Sequence, residues 1–556
     1  MSIPFTIGGI SMRALASDSS FSKMAAASTN DRVLIILDLF GGNDGLNAVI
    51  PISNYDQYYK YRPNIAVPAR NKTRGLIPVD DTLKPEDQVG LHPDMQAMKA
   101  MYDIGRVKIV QGVSYKNNNG SHFRSHDIWS MGGSSQDYLL DGWLGRYFQG
   151  EYAPYQYPKD FPDTAGVPDP LAIEFGSDLS PIFFQTGNIP TSISINNPEQ
   201  FNDLVDGLEG FYDERNRDSR GIPPDYLTGS PYWKELSWIL SLEDKSKDYA
   251  KRMYEVWKNG GEGATTYPEI YPFHAPDGAL NNPFTDKLKM VARMLAGGSQ
   301  TKVFTIRVGG FDTHADQVER DSPSMGGHAA LMYHMSTAMK AFQEDLRARG
   351  LEDRVLTVTT SEFGRRIKSN GSYGTDHGDA APLFMFGKGV QPGVLGTNPN
   401  LDTDNGNVEM QYDYRLVYSN IMRDWMGVDD IRLNVIFPGI MGSGTTDGVT
   451  FQELPIAQRT ITGVDDFISS RFVFEGCYPN PTKDKTTVHF SVNASNAVTV
   501  NLIDNLGQTV KVMVNGTYEQ GEHRVEVDLT GLPTGNYICQ FKSGFYQEAK
   551  KLVIVK

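Results

Sequence analysis

Cysteine is scarce. The chain has two in 556 residues, Cys477 and Cys539, and none precedes them. No disulfide and no thiolate chemistry therefore belongs to the long N-terminal part. Low cysteine use is common in exported proteins, and the remaining pair reads either as one disulfide or as two buried free thiols. Long apolar runs are also missing. None reaches the roughly 18 residues of a membrane helix, so no membrane span is expected. Positive charge is short: 52 Lys and Arg stand against 67 Asp and Glu, a net charge of −15. That excludes the broad basic surface a nucleic acid needs, and it leaves room for a local basic pocket holding a small anion. Basic residues are missing, too, ahead of the weak apolar patch in residues 1–30. That stretch reads as the remnant of an export signal or as a disordered leader.

What is present is a globular balance, 39% hydrophobic and 21% charged, over a length that suggests about two to four domains. Gly at 55 and Tyr and Phe at 27 each fit a loop-rich exported bacterial protein. "RVLIILDLF" at 32–40 is an unbroken apolar run suited to a strand buried on both faces. Helix then strand follows at 92–113, again at 284–308, and again at 328–360. "APLFMFG" reads as one more strand and "YDYRLVYSNIMRDWMG" as one more helix. This alternation predicts an α/β domain over 31–460, with a doubly wound, mostly parallel sheet whose ligands bind beyond the strand ends. Residues 134–283, rich in Pro, Gly, Tyr and Asp, read as an irregular insertion that caps or borders the site, or as a structural excursion. After a linker at 461–474 the pattern changes to period two. Residues 475–556 read as a small antiparallel β-sandwich.

Polar residues collect beside the buried strands. Asp38 and Asp44 follow the first. Ser121, His122, Arg124 and His126 follow the second, at a helix start. Asp312, His314 and Asp316 follow strand 303–308. Ser361, Glu362, Arg365 and Arg366 follow strand 354–360, and Asp376, His377 and Asp379 precede strand 382–386. Each piece has an ordinary reading. Asp-X-His caps loops, Ser-Glu caps a helix, and His122 and His126 can simply share a helix face. Gathered on one sheet edge, they are what a Zn, Mn, Mg or Ca site needs. Two metals bridged by a carboxylate would suit phosphoryl or sulfuryl transfer.

"LFGGNDGLNAVIP", "NGSHFRSHDIW", "VGGFDTHADQ" and "TTSEFGRR…GTDHGDAAPLFMFGKGV" resemble the domain of unknown function 1501 family over roughly residues 30–440. That family is similar to the alkaline phosphatase and sulfatase superfamily. The resemblance implies an alkaline phosphatase-like sheet with a two-metal-type site at its strand ends. It implies metal ligands at His377, Asp376, Asp312, His314 and Glu362, with Asp44 and Asp38 as candidates after the first strand. Glu362 stands where the superfamily carries an Asp-His pair, so one expected histidine is missing. Ser121 occupies the nucleophile's place, with His122 as ligand or acid. Arg124, Arg365 or Arg366 would hold the anionic group. No Cys or formylglycine motif is present, which argues against a standard type I sulfatase.

"YPNPTKDKTTVHFSV", "VNLIDNLGQTV", "GEHRVEVDLTGLPTGNYICQF" and "KKLVIVK" resemble the type A sorting domain of the type IX secretion system of Bacteroidota. This implies the type IX machinery as a partner. It also implies export through the periplasm to the cell surface (outer membrane) or the medium. A carbohydrate-binding or adhesive sandwich is the alternative for this segment. The expected function is an exported hydrolase of phosphate or sulfate esters, dependent on divalent metal ions and acting on an anionic substrate such as a sulfated or phosphorylated glycan. The alternative is a non-catalytic surface or glycan-binding protein that retains the fold, with a structural metal.

Overall fold

The apolar run after Arg32 forms β1, Val33–Leu39, inside a nine-stranded sheet. Further strands are β2 (Val107–Ser114), β3 (Ala172–Phe175), β4 (Ser192–Ile195), β5 (Val303–Val308), β6 (Val355–Thr360), β7 (Arg365–Ser369), β8 (Thr375–His377), β9 (Ala381–Phe386) and β10 (Gly393–Leu395). The order is β4-β3-β5-β1-β6-β9-β2-β10, with Tyr412–Asp413 as the ninth strand beside β2. β7 and β8 make a separate hairpin. The computed structural model describes residues 30–198 except 158–159, 162–164, 177–178, 188 and 197; 249–459 except 443; and 472–556 except 493–495, 506–507, 520 and 544–545. It also describes the backbone of two short antiparallel strands, Ile3–Ile7 and Ile10–Ala14. The rest of the expected leader, and the expected linker as far as residue 471, lie outside the described residues.

Helices cover both faces. They are α1 (Gln96–Asp103), α2 (His122–Met131), α3 (Trp143–Glu151), α4 (Thr285–Ala296), α5 (Gly327–Ala348) and α6 (Tyr414–Asn420). Alternation along β1 divides its side chains. Val33, Ile35 and Leu37 join one core with Met98 of α1, Leu288 of α4 and Met335 of α5. Leu34 and Ile36 join the other with Trp129 of α2, Trp143 of α3 and Val417 of α6. A strand buried on both sides has no polar face to show, and this explains the unbroken apolar run. The large unit is thus α/β, with a doubly wound, mostly parallel sheet.

Two features depart from the expected plan. β3, β4 and α3 fall within 134–283, so this stretch is no irregular insertion where it is described: it supplies sheet strands and a covering helix. The strands are four residues each, too short for periodicity to stand out among Pro and Gly. Residues 199–248 of it lie outside the described residues. The second feature is β9. Every pairing in the sheet is parallel except the two that β9 makes, with β6 and β2. Its reversed direction puts its first residue at the edge where β1, β2, β5 and β6 end. The loop before β9 therefore meets the loops after the others.

The chain divides into two compact units, Met1–Arg459 and Thr460–Lys556. The second has strands β11 (Phe472–Tyr478), β12 (Lys485–Val492), β13 (Asn496–Ile503), β14 (Thr509–Tyr518), β15 (Gly521–Asp528), β16 (Gly535–Ser543) and β17 (Tyr546–Ile554). They form two antiparallel sheets, β11-β12-β15 and β14-β13-β16-β17. Val488, Phe490, Val500, Leu502 and Phe541 make the core, which accounts for the period-two pattern. Among the described residues no helix is long and apolar enough to cross a membrane.

Candidate metal centre

β1 runs into Phe40-Gly41-Gly42, where both glycines take positive φ, 125° and 85°. A side chain on Gly41 would stand 2.2 Å from Asp312 N, so this turn and the loop after β5 meet backbone to backbone. The two glycine amides point at one carboxylate. Gly41 N–H donates to Glu362 Oε1 at 2.8 Å and Gly42 N–H to Oε2 at 3.1 Å. Successive amides in such a turn form a concavity for an anion. The Glu362 side chain is fully buried there. His122 and His126, one helical turn apart on α2, approach the same carboxylate: His122 Nδ1 at 2.7 Å and His126 Nε2 at 3.5 Å from Oε1. Phe40 stacks on both rings. Burial alone would raise the Glu362 pKa, but His126 and His122 outweigh it and bring it down to about 2. Burial opposes the charge on His126 as well, and the neighbouring Glu362 raises its pKa regardless.

With Nδ1 engaged by Glu362, His122 turns Nε2 toward Asp312 Oδ2, 3.7 Å away. The other Asp312 oxygen lies 3.4 Å from His377 Nε2 and 3.3 Å from His314 Nε2. His377 Nδ1 meets the Gly120 carbonyl at 2.8 Å, and His314 Nδ1 lies 3.4 Å from Asp376 Oδ1. Each ring thus has an oxygen beside Nδ1 and its Nε2 aimed at Asp312. Hydrogen bonding at Nδ1 fixes the tautomer and leaves Nε2 lone pairs converging, which is how imidazoles are presented to a metal. His122, Asp312 and His377 offer ligand atoms within 4.8 Å of one another, and His314 Nε2 stands 2.8 Å from His377 Nε2. Burial opposes ionisation of Asp312, yet Arg365, donating to Oδ1 at 2.7 Å, keeps its pKa low. Partial burial, with Arg365, His122 and His314 nearby, lowers the pKa of His377 and favours its neutral, ligating form. Imidazoles with one carboxylate fit Zn or a similar transition ion better than Mg or Ca, which favour all-oxygen shells.

Several expected residues are occupied elsewhere. Asp44 is fully buried. Both its oxygens accept from Arg62 Nη1, at 2.7 and 2.6 Å, and Gln317 donates to Oδ2 at 2.6 Å. Asp38 is paired with Arg307 at 2.7 Å. It lines a cavity of about 210 Å³ with Glu174 and Lys287 that borders the centre at His126 and Glu362. Ser121 caps α2, its Oγ accepting from Arg124 N at 3.4 Å. The Arg124 guanidinium donates to the Ser135 and Asp137 carbonyls and lies over Tyr138. Arg365 is buried, donating to the carbonyls of Gly42, Thr375, Phe311 and Gly41 besides Asp312. Arg62 and Arg307 decide these fates: Asp44 is buried with both oxygens engaged and Asp38 is turned to Arg307, whereas Asp312 gives only Oδ1 to Arg365 and keeps Oδ2 facing His122. Among the described residues, one group of ligand atoms converges rather than the two that a two-metal site would need.

Arg366, beside Arg365, is the better-placed cation. It is exposed and lines an open cleft of about 610 Å³ with His314, His377, Asn118 and Asn119, and with Asp376 and Asp379, whose carboxylates its charge favours. Alternation along β7 is the signal for this, since adjacent residues of a strand face opposite ways.

Residues 270–437 match the model of a family described as a protein of unknown function (DUF1501). Residues 476–555 match the secretion system C-terminal sorting domain. The first match is narrower than the stretch over which the motifs resemble that family. The second marks the chain for export, to the cell surface or the medium, and implies the secretion machinery as a partner. No curated protein matches the chain. Solved structures similar to it include the PsFucS1 sulfatase from Pseudoalteromonas sp., 11% identical over 92% of this chain and 86% of that one, TM-score 0.32. A phosphonate monoester hydrolase from Silicibacter pomeroyi is 9% identical over 94% and 89%, TM-score 0.29. The alkaline phosphatase of the Antarctic bacterium TAB5 is 12% identical over 65% and 92%, TM-score 0.20. Likeness at this level assigns no role to any residue.

Proposed function

We propose that this chain, with a DUF1501 segment at 270–437 and a sorting tail at 476–555, is an exported metal-dependent hydrolase of phosphate or sulfate esters. One observation supports this most: imidazoles from the start of α2, the loop after β5 and the end of β8 turn Nε2 toward Asp312 while oxygen atoms sit at their Nδ1 positions. His122, Asp312 and His377 hold a divalent ion, with His314 beside them. When bound, the ion supplies Lewis-acid polarisation of an ester oxygen and of water. The residues around it do the rest. Glu362 and the Gly120 carbonyl orient two of the rings, Arg365 orients Asp312, and Arg366 neutralises the anionic group in the cleft. With Ser121 engaged as a helix cap, water is the nucleophile in this reading.

The test is elemental analysis of the purified protein and of His377→Ala, followed by p-nitrophenyl phosphate, bis-p-nitrophenyl phosphate and p-nitrophenyl sulfate as substrates. Near-stoichiometric Zn, Mn or Fe that falls in the variant is the expected result. Turnover of one ester should then be lost with the metal, and Arg366→Ala should raise KM about tenfold, the worth of one charge-assisted hydrogen bond. No transition metal in the wild type, even after metal is supplied, sinks the proposal. A second reading, a non-catalytic surface protein with a bound metal, is favoured by the engagement of Ser121 and Arg365 elsewhere. It predicts the metal without turnover of any ester.

A further inference from the structure

The two cysteines are 62 residues apart and lie on different sheets of the C-terminal unit, Cys477 on β11 and Cys539 on β16. Both are buried thiols in one core with Phe474, Val488 and Leu502. Their sulfurs are 3.2 Å apart, so reaching the ~2.05 Å of a disulfide needs a movement of roughly one ångström. The chain has no other cysteine, so neither has another disulfide partner within it; the Cys539 thiol also lies 3.8 Å from the Met513 sulfur, which forms no such bond. The sorting tail sends the chain out of the cytoplasm, into compartments where disulfides form and persist.

We propose that Cys477 and Cys539 form a disulfide that ties the two sheets of the C-terminal unit together. The thiolate of one attacks a disulfide-bonded oxidant, either a dithiol oxidoreductase in its oxidised form or a small-molecule disulfide. The mixed disulfide that results is attacked by the second cysteine, which releases the oxidant as free thiols. Two S–H bonds break and one S–S bond forms inside the chain. The two electrons and two protons end on the oxidant's sulfurs. The contact with Cys477 and then burial push the Cys539 thiol up, which disfavours its thiolate, and both sulfurs are buried from any oxidant in the folded unit. The exchange accordingly belongs before the sheets close. A link between positions so far apart restricts the unfolded chain strongly.

The experiment uses the full chain, directed to the periplasm of a host without the type IX machinery so that the tail is retained. It is denatured without reductant, alkylated and digested. The expected result is no alkylated cysteine. One peptide pair should join positions 477 and 539, lighter by two hydrogens than the reduced pair. Reduction should then quicken hydrogen exchange in peptides from β11 and β16, with no such effect in a Cys477→Ala, Cys539→Ala double variant. Two alkylated cysteines, or links only between chains, overturn the proposal. So does failure to form the internal link when cytoplasmic protein is refolded with oxidised glutathione.

Discussion

Asp44 and Asp312 are both carboxylates in loops after parallel strands, yet their surroundings give them opposite work. Asp44 is fully buried against Arg62, while the Asp312 side chain is half exposed. Asp44→Asn should leave a buried guanidinium without its counter-charge, at a cost of about 3–5 kcal/mol, with metal stoichiometry unchanged in the folded protein. Asp312→Asn should lose the metal, and it should cost stability as well, because the buried Arg365 loses the carboxylate that balances it, though less than at Asp44 since the Asp312 side chain is half exposed. Urea midpoints and metal content, measured on both, decide. Glu174 gives a pH dependence. Burial raises its pKa from 4.5 to about 7, against the Ser192 and Ser180 donors. The folded protein therefore holds a proton that the unfolded chain releases between those values. Its contribution is full below about pH 4.5 and is lost as the pH rises through 7. Glu174→Gln should remove that part of the slope, on the order of 3 kcal/mol, read as the difference in urea midpoints between acid and alkaline buffer for the two proteins.

Among the elements, the Gly41-Gly42 turn and β9 set the centre's geometry. The turn presents two amides to Glu362 and touches the Asp312 backbone, so a methyl group at Gly41 has nowhere to go. Gly41→Ala should destabilise by about 1–3 kcal/mol through its positive φ. It should also weaken metal binding at least tenfold by displacing the loop that carries Asp312, as isothermal titration with Zn would measure. β9 acts by direction. A parallel strand there would carry His377 to the opposite edge of the sheet, far from His122. The apolar run 381–386 was legible as a strand. The reversal was not legible, because five or six apolar residues look alike in either direction and the hydrogen-bonding partners that fix it lie on β2 and β6.

For the whole molecule, the residues proposed to hold the metal all fall within Met1–Arg459 and the sorting strands within Thr460–Lys556. Removing residues 460–556 should therefore leave metal stoichiometry and any ester turnover unchanged while the protein stays in the periplasm. Elemental analysis and fractionation of the cells test both. The sequence by itself determined the doubly wound class, because strands buried on both faces must be apolar throughout. It also determined the address, because the tail's motifs are local and specific. It named the chemical types at the site, Asp312, His314, His377, His122 and Glu362 among them. Tertiary structure alone decided which carboxylates were free to take part. Asp38 is held by Arg307, 269 positions away, and Arg62 holds Asp44 in a core built from distant segments. It decided as well that Arg366, not Arg365, faces the cleft. Ion pairs and strand direction depend on which distant residues arrive beside a group, and no local pattern carries that information.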